Sequence, residues 1–355
     1  MLELRSWLGQ ARAQEGAGAD DGETPDVGGG GATRRAFIGG AAGSAAAVTL
    51  GSLPQPAIAG RKGKGKKDKR RSDLRASNIG IQLFTVRDFL NDDSLDLDGT
   101  FEVLSDAGYK TVEIGGTYDG RTPAEFRELA RDFGLRVIGS HVPGGHDAWR
   151  DNIELVLDEA EELRIPYVGI AIPAGDVPRT VAGYQALAEE FNEFGAAARD
   201  RGLKFYFHNH PDDFTIDNGT VIYDVLLEET ERRLVWFEMD IAWVVAGGQN
   251  PRDYLKDDSR RFPLFHVKDL RFDPAGNRTT PDGVADPGRP FFLTAVGKGE
   301  INFGRIFAVL RDLDDHEYLV EDDDAPDPVI NPAGQANTAW VSRKYLAELD
   351  VPRHR

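Results

Sequence analysis

Imidazoles, carboxylates and one lysine recur at or just beyond the ends of short apolar runs in this sequence. They are Glu113, His141, His208, His210, Asp240, His266, Lys268 and Glu321. Burying so many charges without partners would cost several kcal/mol each, so their convergence indicates a shared cation. The chain contains no cysteine, which leaves His, Asp and Glu as ligands. The pattern predicts one divalent metal ion, either Mn²⁺, Mg²⁺, Fe²⁺ or Zn²⁺.

The elements that must position these side chains alternate regularly from Asn78 onward. Short β-branched or aromatic runs alternate with charged segments of helical period, a pattern typical of βα units around a parallel sheet. Eight such runs are found, at 79–84, 111–114, 136–140, 167–172, 204–208, 235–240, 264–268 and 318–321. A doubly wound sheet usually has a glycine-rich turn after its first strand, whereas residues 82–85 contain no glycine. The sequence therefore predicts an α/β fold, one (β/α)₈ TIM barrel, with its chemistry at the C-terminal ends of the strands.

Helix signals fall between these runs. Thr122 and Pro123 have the residue types of a helix cap and a first helical position. Gly108, Gly134 and Gly202 each stand just before a predicted strand, where a glycine commonly ends a helix. This punctuation repeats in phase with the strands and supports the barrel.

Charge is distributed unevenly over the chain. Residues 61–75 hold nine Lys and Arg against two Asp, whereas the whole chain carries −18 and residues 76–355 carry −23. A body this acidic repels nucleic-acid phosphates, so we expect no nucleic-acid partner. A neutral or cationic small molecule suits it better, and the sequence leaves an oligomer open.

The first 75 residues differ from the rest in composition. Residues 1–32 are rich in Gly, Ala and acids without an apolar period, and we expect disorder there. Arg34 and Arg35 then precede a weakly apolar segment and the small-residue site Ala57-Ile58-Ala59, the order of a twin-arginine export signal. We therefore expect an exported protein, either periplasmic, extracellular or at the cell surface.

These boundaries give a leader and signal at 1–59, a basic linker at 60–75 and a catalytic barrel at 76–349. The linker is expected to be solvated, with weak tethering to an anionic membrane or cell-wall surface as the alternative.

Six segments carry a family resemblance and follow one another in the family's order. They are 81–88 (IQLFTVRD), 208–214 (HNHPDDF), 237–248 (FEMDIAWVVAGG), 265–269 (FHVKD), 296–303 (VGKGEINF) and 318–321 (YLVE). With these motifs the chain resembles the sugar phosphate isomerase/epimerase family of xylose isomerase-like barrels. The resemblance is specific for this superfamily and not for one reaction.

The resemblance implies a ligand set. Epimerases and dehydratases of the family hold one metal ion with Glu, Asp, His and Glu from the last four strands, which implies Asp240, His266 and Glu321 as ligands here. The first Glu is replaced by His208, which we expect to be the fourth ligand. The epimerases use both glutamates as acid/base groups, and a metal-bound imidazole cannot act as a base through the same nitrogen. The substitution argues against a symmetric two-base epimerisation.

Two neighbouring residues have alternative roles. Strand alternation puts His210 on the same side as His208, so it is either a ligand or the catalytic base. Lys268 shares a face with His266 and would either stabilise an oxyanion or form a salt bridge to Glu321 or Asp240.

The remaining candidates would contact the substrate or support the site. Glu113 is expected to accept a proton or to bind a sugar hydroxyl, and His141 to face the substrate or orient a ligand, with a purely structural role as the alternative for each. Gln82 is expected to contact the substrate. Trp243 would stack on a sugar ring, with lid or core packing as its alternative. Glu321 precedes three Asp residues, so its alternative is an acidic surface turn.

The Pro-, Gly- and Asp-rich segment 270–299 would lie over the site or at its rim as a substrate-specific loop. The chemistry common to such a site is proton abstraction beside a carbonyl, through an enediolate. We expect an exported metal-dependent isomerase or epimerase of a sugar or keto-sugar. The alternatives are a metal-dependent lyase acting on 3-keto-glycosides and a sugar-binding protein that has lost catalysis.

Overall fold

Eight parallel strands close into a barrel in the computed structural model, which describes residues 71–91, 96–272 and 291–352. The strands, β1 to β8 in chain order, are Ile79–Gln82, Thr111–Gly115, Arg136–His141, Tyr167–Ile170, Lys204–His208, Val235–Asp240, Leu264–Val267 and Glu317–Val320. The last strand closes the barrel by pairing with the first, with Tyr318 opposite Ile79. The predicted (β/α)₈ fold is confirmed, and the predicted strand bounds agree to within two residues.

Helices connect the strands on the outside of the barrel. The helices α1 to α8 are Leu97–Ala107, Pro123–Asp132, Gly145–Leu163, Val181–Asp200, Ile222–Glu229, Pro251–Asp258, Phe303–Phe307 and Gly334–Glu348. Two short helices, Arg87–Asn91 and Ile241–Ala246, follow β1 and β6. None of the helices within the described ranges is long and apolar enough to cross a membrane.

The local signals that punctuate the helices act as predicted. The Thr122 hydroxyl accepts from the amide of Glu125, and the Glu125 carboxylate accepts from the amide of Thr122, which forms a capping box with Pro123 in the first turn. Gly108, with a φ of 94°, ends α1 in the left-handed region. Gly202 after α4 has a φ of 77°, a conformation that glycine adopts without steric cost.

The apolar residues divide into an outer core and an inner one. The outer core lies between sheet and helices and includes Trp149, Phe191 and Phe265. A smaller cluster of Ile138, Tyr206, Leu264 and Leu319 packs separately. Alternation along a strand sends successive side chains to opposite faces, so Tyr206 and His208 share the interior face of β5. The inner cluster therefore fills the barrel interior next to the polar residues at the strand ends.

The folded body extends beyond the expected limits of 76–349. Strand Arg71–Asp73 pairs antiparallel with Asp350–Pro352. The expected leader at 1–59 and residues 60–70 of the expected linker lie outside the described residues. Within the expected loop at 270–299, Asp269–Phe272 pairs antiparallel with Phe291–Thr294, and 273–290 lies outside the described residues.

Candidate metal centre

A cavity of about 320 Å³ opens at the C-terminal ends of the strands. Its walls include six of the predicted site residues, namely Gln82, His141, His208, His210, Lys268 and Glu321. A larger cavity of about 870 Å³ lies on the outer side, between α5 and α6, and none of the predicted site residues line it. The chemistry-bearing side chains therefore converge at the first cavity.

Two imidazoles and two carboxylates lie together beside this cavity, and two of the four, His208 and Glu321, line it. Each of His208, Asp240, His266 and Glu321 offers a donor atom within 4.8 Å of the others, and all four residues are buried. His266 Nδ1 lies 2.6 Å from Glu321 Oε2, and His208 Nε2 lies 3.8 Å from Asp240 Oδ2. These are the four residues that the sequence predicted as metal ligands.

The backbone around Asp240 fixes its carboxylate. Asn209 holds the ends of β5 and β6 together, because its amide group donates to the Asp240 carbonyl and accepts from the Asp240 amide. Asp240 Oδ1 accepts from the amide of Trp243 at the start of the following short helix. Since Oδ1 is used in this way, Oδ2 is left toward His208 and Lys268.

Buried donor atoms without hydrogen bonds test whether the residues fit a metal ion. Among the described residues, Asp240 Oδ2 and His266 Nδ1 are buried and make no bond of hydrogen-bond geometry, although Lys268 Nζ and Glu321 Oε2 lie 3.0 and 2.6 Å from them as ion pairs. Buried polar atoms without such a bond are rare and costly, and a bound ion is one of their explanations. Mixed imidazole and carboxylate donors suit Zn²⁺, Mn²⁺ and Fe²⁺. The residues therefore fit a divalent cation.

The ionisation of these groups follows from burial and from their neighbours. Burial would lower the pKa of His266, but the carboxylates of Glu238, Glu321 and Glu113 outweigh burial and raise that pKa well above its usual value. Burial raises the pKa of Asp240 to about 6, although Lys268 acts in the opposite direction. In the metal-free protein the protonated His266 ring thus supplies positive charge among carboxylates that a bound cation would otherwise neutralise.

A second layer of polar residues lies below the first. Glu238 is fully buried and its Oε2 lies 2.9 Å from His141 Nε2, 3.3 Å from His208 Nδ1 and 3.1 Å from His266 Nε2. Glu238 is not among the site residues predicted from the sequence. Period-two alternation along β6 places it on the same face as Asp240, and that signal could have found it.

The contacts of Glu113 agree with the structural role that was its predicted alternative. Its carboxylate is fully buried and accepts from Tyr206 Oη, Gln82 Nε2 and His266 Nε2. Gly139 makes room for it, since a Cβ there would lie 3.0 Å from Glu113 Oε1. Glu113 does not line the cavity, and with its oxygens occupied it supports His266.

Lys268 neutralises the acidic wall of the cavity. Its Nζ lies 2.8 Å from Glu321 Oε2, 3.0 Å from Asp240 Oδ2 and 3.1 Å from Asp323 Oδ2. Burial would lower the pKa of Lys268, but these carboxylates raise it, so the ammonium stays charged. Both predicted salt bridges are present, and the side chain also reaches the cavity.

The acidic run after β8 is not a surface turn. Asp322 and Asp324 are buried, and the Asp324 carboxylate accepts from the amide of Leu293. Asp323 lines the cavity beside Lys268. Sequence reasoning missed Asp323 because a run of three Asp resembles an exposed turn.

The position of Trp243 agrees with core packing, its predicted alternative to stacking on a sugar ring. The side chain is buried with Leu270, Phe291 and Leu293 and is not part of the cavity wall. The Lys268 ammonium lies 4.5 Å from the centre of its ring, a cation-π contact. Trp243 thus packs in a core and supports Lys268, in line with the alternative role.

His210 lies beyond the end of β5, at the start of the one-turn helix Pro211–Phe214. Its Nδ1 lies 3.1 Å from the Ala171 carbonyl oxygen, and its amide donates to Asp213 Oδ2. Burial is the main cause, and the positive charge of Lys268 the second, that lowers the pKa of His210 to about 3. The ring is therefore neutral near pH 7, with Nδ1–H donated to Ala171 and a lone pair on Nε2.

The fold and this arrangement of strand-end residues define a xylose isomerase-like barrel. The sequence profile of the xylose isomerase-like TIM barrel family matches residues 101–341, and the chain belongs to that family.

Two similar sequences are inosose dehydratases. The one from Clostridium perfringens is 30% identical over 166 residues, which cover 46% of this chain and 54% of that protein. The match therefore spans about half the length of that relative. The one from Klebsiella pneumoniae is 24% identical over 285 residues, covering 73% of this chain and 93% of that protein.

Two solved structures share the fold. A sugar phosphate isomerase/epimerase from Parabacteroides distasonis is 22% identical with a TM-score of 0.59, covering 78% of this chain and 96% of that one. An IolI protein with a bound zinc atom is 15% identical with a TM-score of 0.55, covering 75% of this chain and 95% of that one. At such identities the likeness shows the fold alone.

Proposed function

We propose that this protein is a divalent-metal-dependent lyase that eliminates water or an alcohol from a cyclic polyhydroxy ketone of the inosose type. The observation that carries the proposal is the similarity to inosose dehydratases, which extends over 73% of this chain and 93% of the Klebsiella relative. The lyase alternative is thereby preferred over the isomerase or epimerase expected from the sequence.

The metal ion is assigned to His208, Asp240, His266 and Glu321. Support comes from the donor atoms that converge within 4.8 Å and from the bound zinc of the IolI protein of similar fold. When bound, the ion would polarise the substrate carbonyl as a Lewis acid.

His210 is assigned as the base because its neutral ring lines the cavity with a lone pair on Nε2. It would remove the proton from the carbon beside the carbonyl. The electron pair of the broken C–H bond forms a C=C bond, and the bond from the next carbon to its oxygen breaks. That oxygen would take up a proton, which the protonated His210 ring gives up, and leave as water or an alcohol. The Lys268 ammonium would stabilise the negative charge that develops on oxygen.

The test uses the full chain, stripped with a chelator and reloaded with Zn²⁺ or Mn²⁺. The substrates are an inosose, the corresponding inositol without a carbonyl, a 3-keto-glycoside and a panel of aldoses and ketoses. We expect an unsaturated ketone or dione, detected by absorbance and NMR, from the inosose and none from the inositol. Interconversion of sugars without elimination would support the isomerase instead. Thermal stabilisation by sugars without any turnover would support a binding protein.

We also propose that residues 1–59 direct export through the twin-arginine route. The support is the order of Arg34-Arg35, the weakly apolar segment and Ala57-Ile58-Ala59 in the sequence. Weak tethering through the basic stretch of the linker is the accompanying proposal.

A further inference from the structure

The two histidines of the metal centre face carboxylates with both ring nitrogens. His208 turns Nε2 toward Asp240 and Nδ1 toward Glu238, at 3.8 and 3.3 Å. His266 turns Nδ1 toward Glu321 and Nε2 toward Glu238, at 2.6 and 3.1 Å. One oxygen, Glu238 Oε2, thus lies beneath both rings, on the side opposite to the other two carboxylates.

The two ring nitrogens that face Glu238, His208 Nδ1 and His266 Nε2, also belong to a second donor set. His141, His208, Glu238 and His266 offer donor atoms within 4.8 Å of one another. Both sets need the same two rings, and filling both would require His208 and His266 each to lose both ring protons. A metal-bound imidazole instead normally donates its other N–H to a carboxylate or carbonyl. The chemistry therefore favours an ion at the nitrogens that face Asp240 and Glu321, and a carboxylate acceptor at the nitrogens that face Glu238.

Glu238 has the surroundings of such an acceptor. It is fully buried and lies within β6, two residues before Asp240, so a regular strand fixes its place relative to a ligand. Its Oε2 lies 2.9 Å from His141 Nε2 as well as facing His208 and His266, so three imidazoles surround one carboxylate oxygen. Glu238 does not line the cavity.

We propose that Glu238 is a positioning residue of the metal centre, which holds His208 at Nδ1 and shares His266 Nε2 with Glu113 so that the opposite nitrogens bind the ion. This inference rests on the metal assigned under the proposed function, but not on the lyase reaction. Its tests accordingly measure zinc binding and ring protonation rather than turnover.

The first test compares Glu238→Gln with Glu317→Gln in the full chain. Glu317 is also on a barrel strand, pairs with Arg136 and belongs to neither donor set. We expect Glu238→Gln to weaken zinc binding by about 10- to 100-fold, the usual effect of losing such a support, and Glu317→Gln to leave it unchanged. Glu238→Asp, which keeps the charge on a shorter side chain, should lose less. Cooperative thermal unfolding of each chelated variant checks that it is folded.

The second test reads the ring protons of the zinc-loaded protein by ¹⁵N NMR of labelled histidine. We expect one bound zinc per chain, with His208 protonated at Nδ1 and His266 at Nε2, and the loss of this pattern in Glu238→Gln. The opposite tautomers, or two zinc ions per chain, would place an ion among His141, His208, Glu238 and His266 and overturn the inference. Equal zinc affinity of wild type and Glu238→Gln also overturns it. A wild type that binds zinc without lyase activity refutes the reaction and leaves the role of Glu238 intact.

Discussion

Lys268 places its ammonium 2.8 Å from Glu321 Oε2 in the buried base of the cavity. The same ammonium lies 3.0 Å from Asp240 Oδ2, so one fixed positive charge serves both carboxylates assigned to the metal. A divalent ion and this ammonium would neutralise the same groups. The free-energy cost of removing the ammonium should therefore depend on whether the divalent ion is bound.

Replacing Lys268 by Met should destabilise the metal-free protein far more than the metal-loaded protein. Removing one partner of a buried ion pair typically costs about 3–5 kcal/mol, because a buried charge is left uncompensated. We expect a loss of this size in urea unfolding with a chelator and a smaller loss with saturating Zn²⁺. Lys256→Met is the control, since Lys256 pairs with Asp253 at the surface and should change stability by less than about 1 kcal/mol. Equal losses of Lys268→Met in both conditions would contradict the shared neutralisation.

Asp240→Asn should remove most of the bound metal. Wild-type protein should hold one divalent ion per chain after dialysis, and saturation at about 1,000 times the dissociation constant should raise the free energy of unfolding by about 4 kcal/mol. The measurements are elemental analysis and metal-dependent unfolding. Asp224→Asn, a half-buried carboxylate on α5 that accepts from Tyr254, is the matched control and should keep the ion. If wild type and Asp240→Asn contain the same amount of metal, the site is wrongly assigned.

The barrel was predictable because buried parallel strands are nearly continuous apolar runs, and polar residues at their ends stand out against them. That contrast identified Asp240 and His266. It did not reveal Glu238, which lies inside the run 235–240. Alternation along β6 puts that residue on the face of Asp240, but its contacts with three imidazoles come from other strands. Such contacts between distant segments depend on register and strand tilt, which one sequence does not reveal.

The errors have similar physical causes. Trp243 follows a strand end, where aromatic residues often face ligands, but the hairpin strand Phe291–Thr294 covers it. Strand Arg71–Asp73 is three residues long and polar, so nothing in its pattern distinguishes it from the basic linker before it.

Zinc affinity should rise with pH because protons compete for the ligands. The pKa of His266 is raised well above its usual value by surrounding carboxylates, although burial opposes this, so the metal-free protein carries a proton there near neutrality. Binding must displace that proton, and the dissociation constant should fall about tenfold per pH unit while it does so. Below about pH 6, where burial keeps Asp240 protonated, a second proton should steepen the dependence.

Competition titrations with a zinc indicator, and calorimetry in buffers of different protonation enthalpy, measure this proton release. His316→Asn is the control, since His316 is buried against the Phe262 carbonyl away from the donor sets and should not alter the slope. A zinc affinity independent of pH from about 6 to 8 would show that His266 does not exchange a proton for the ion.

Replacing Arg34 and Arg35 together by Lys should retain the protein inside the cell. The twin-arginine route requires the paired Arg, while two Lys keep the charge of the segment. We expect the wild-type chain to be recovered outside the cytoplasm and the double variant to accumulate inside it, measured by fractionation and mass spectrometry. Lys66→Arg with Lys67→Arg, in the basic stretch, keeps the charge and should leave export unchanged. Export of the double Lys variant at the wild-type level would exclude the signal.

His210→Asn should abolish proton transfer without removing the metal. The asparagine keeps a polar group at the cavity wall but has no basic nitrogen to replace the His210 Nε2 lone pair, and His210 is not in the donor set assigned to the ion. General-base groups contribute about 10²- to 10⁴-fold, so deuterium exchange beside the carbonyl and elimination should fall together by that factor. Zinc content should stay at the wild-type value. His146→Asn, which alters a buried histidine that accepts from the Ala174 amide and does not line the cavity, is the control. If His210→Asn still exchanges the proton at the wild-type rate, another group at the cavity is the base, and Asp323 beside Lys268 becomes the first residue to replace.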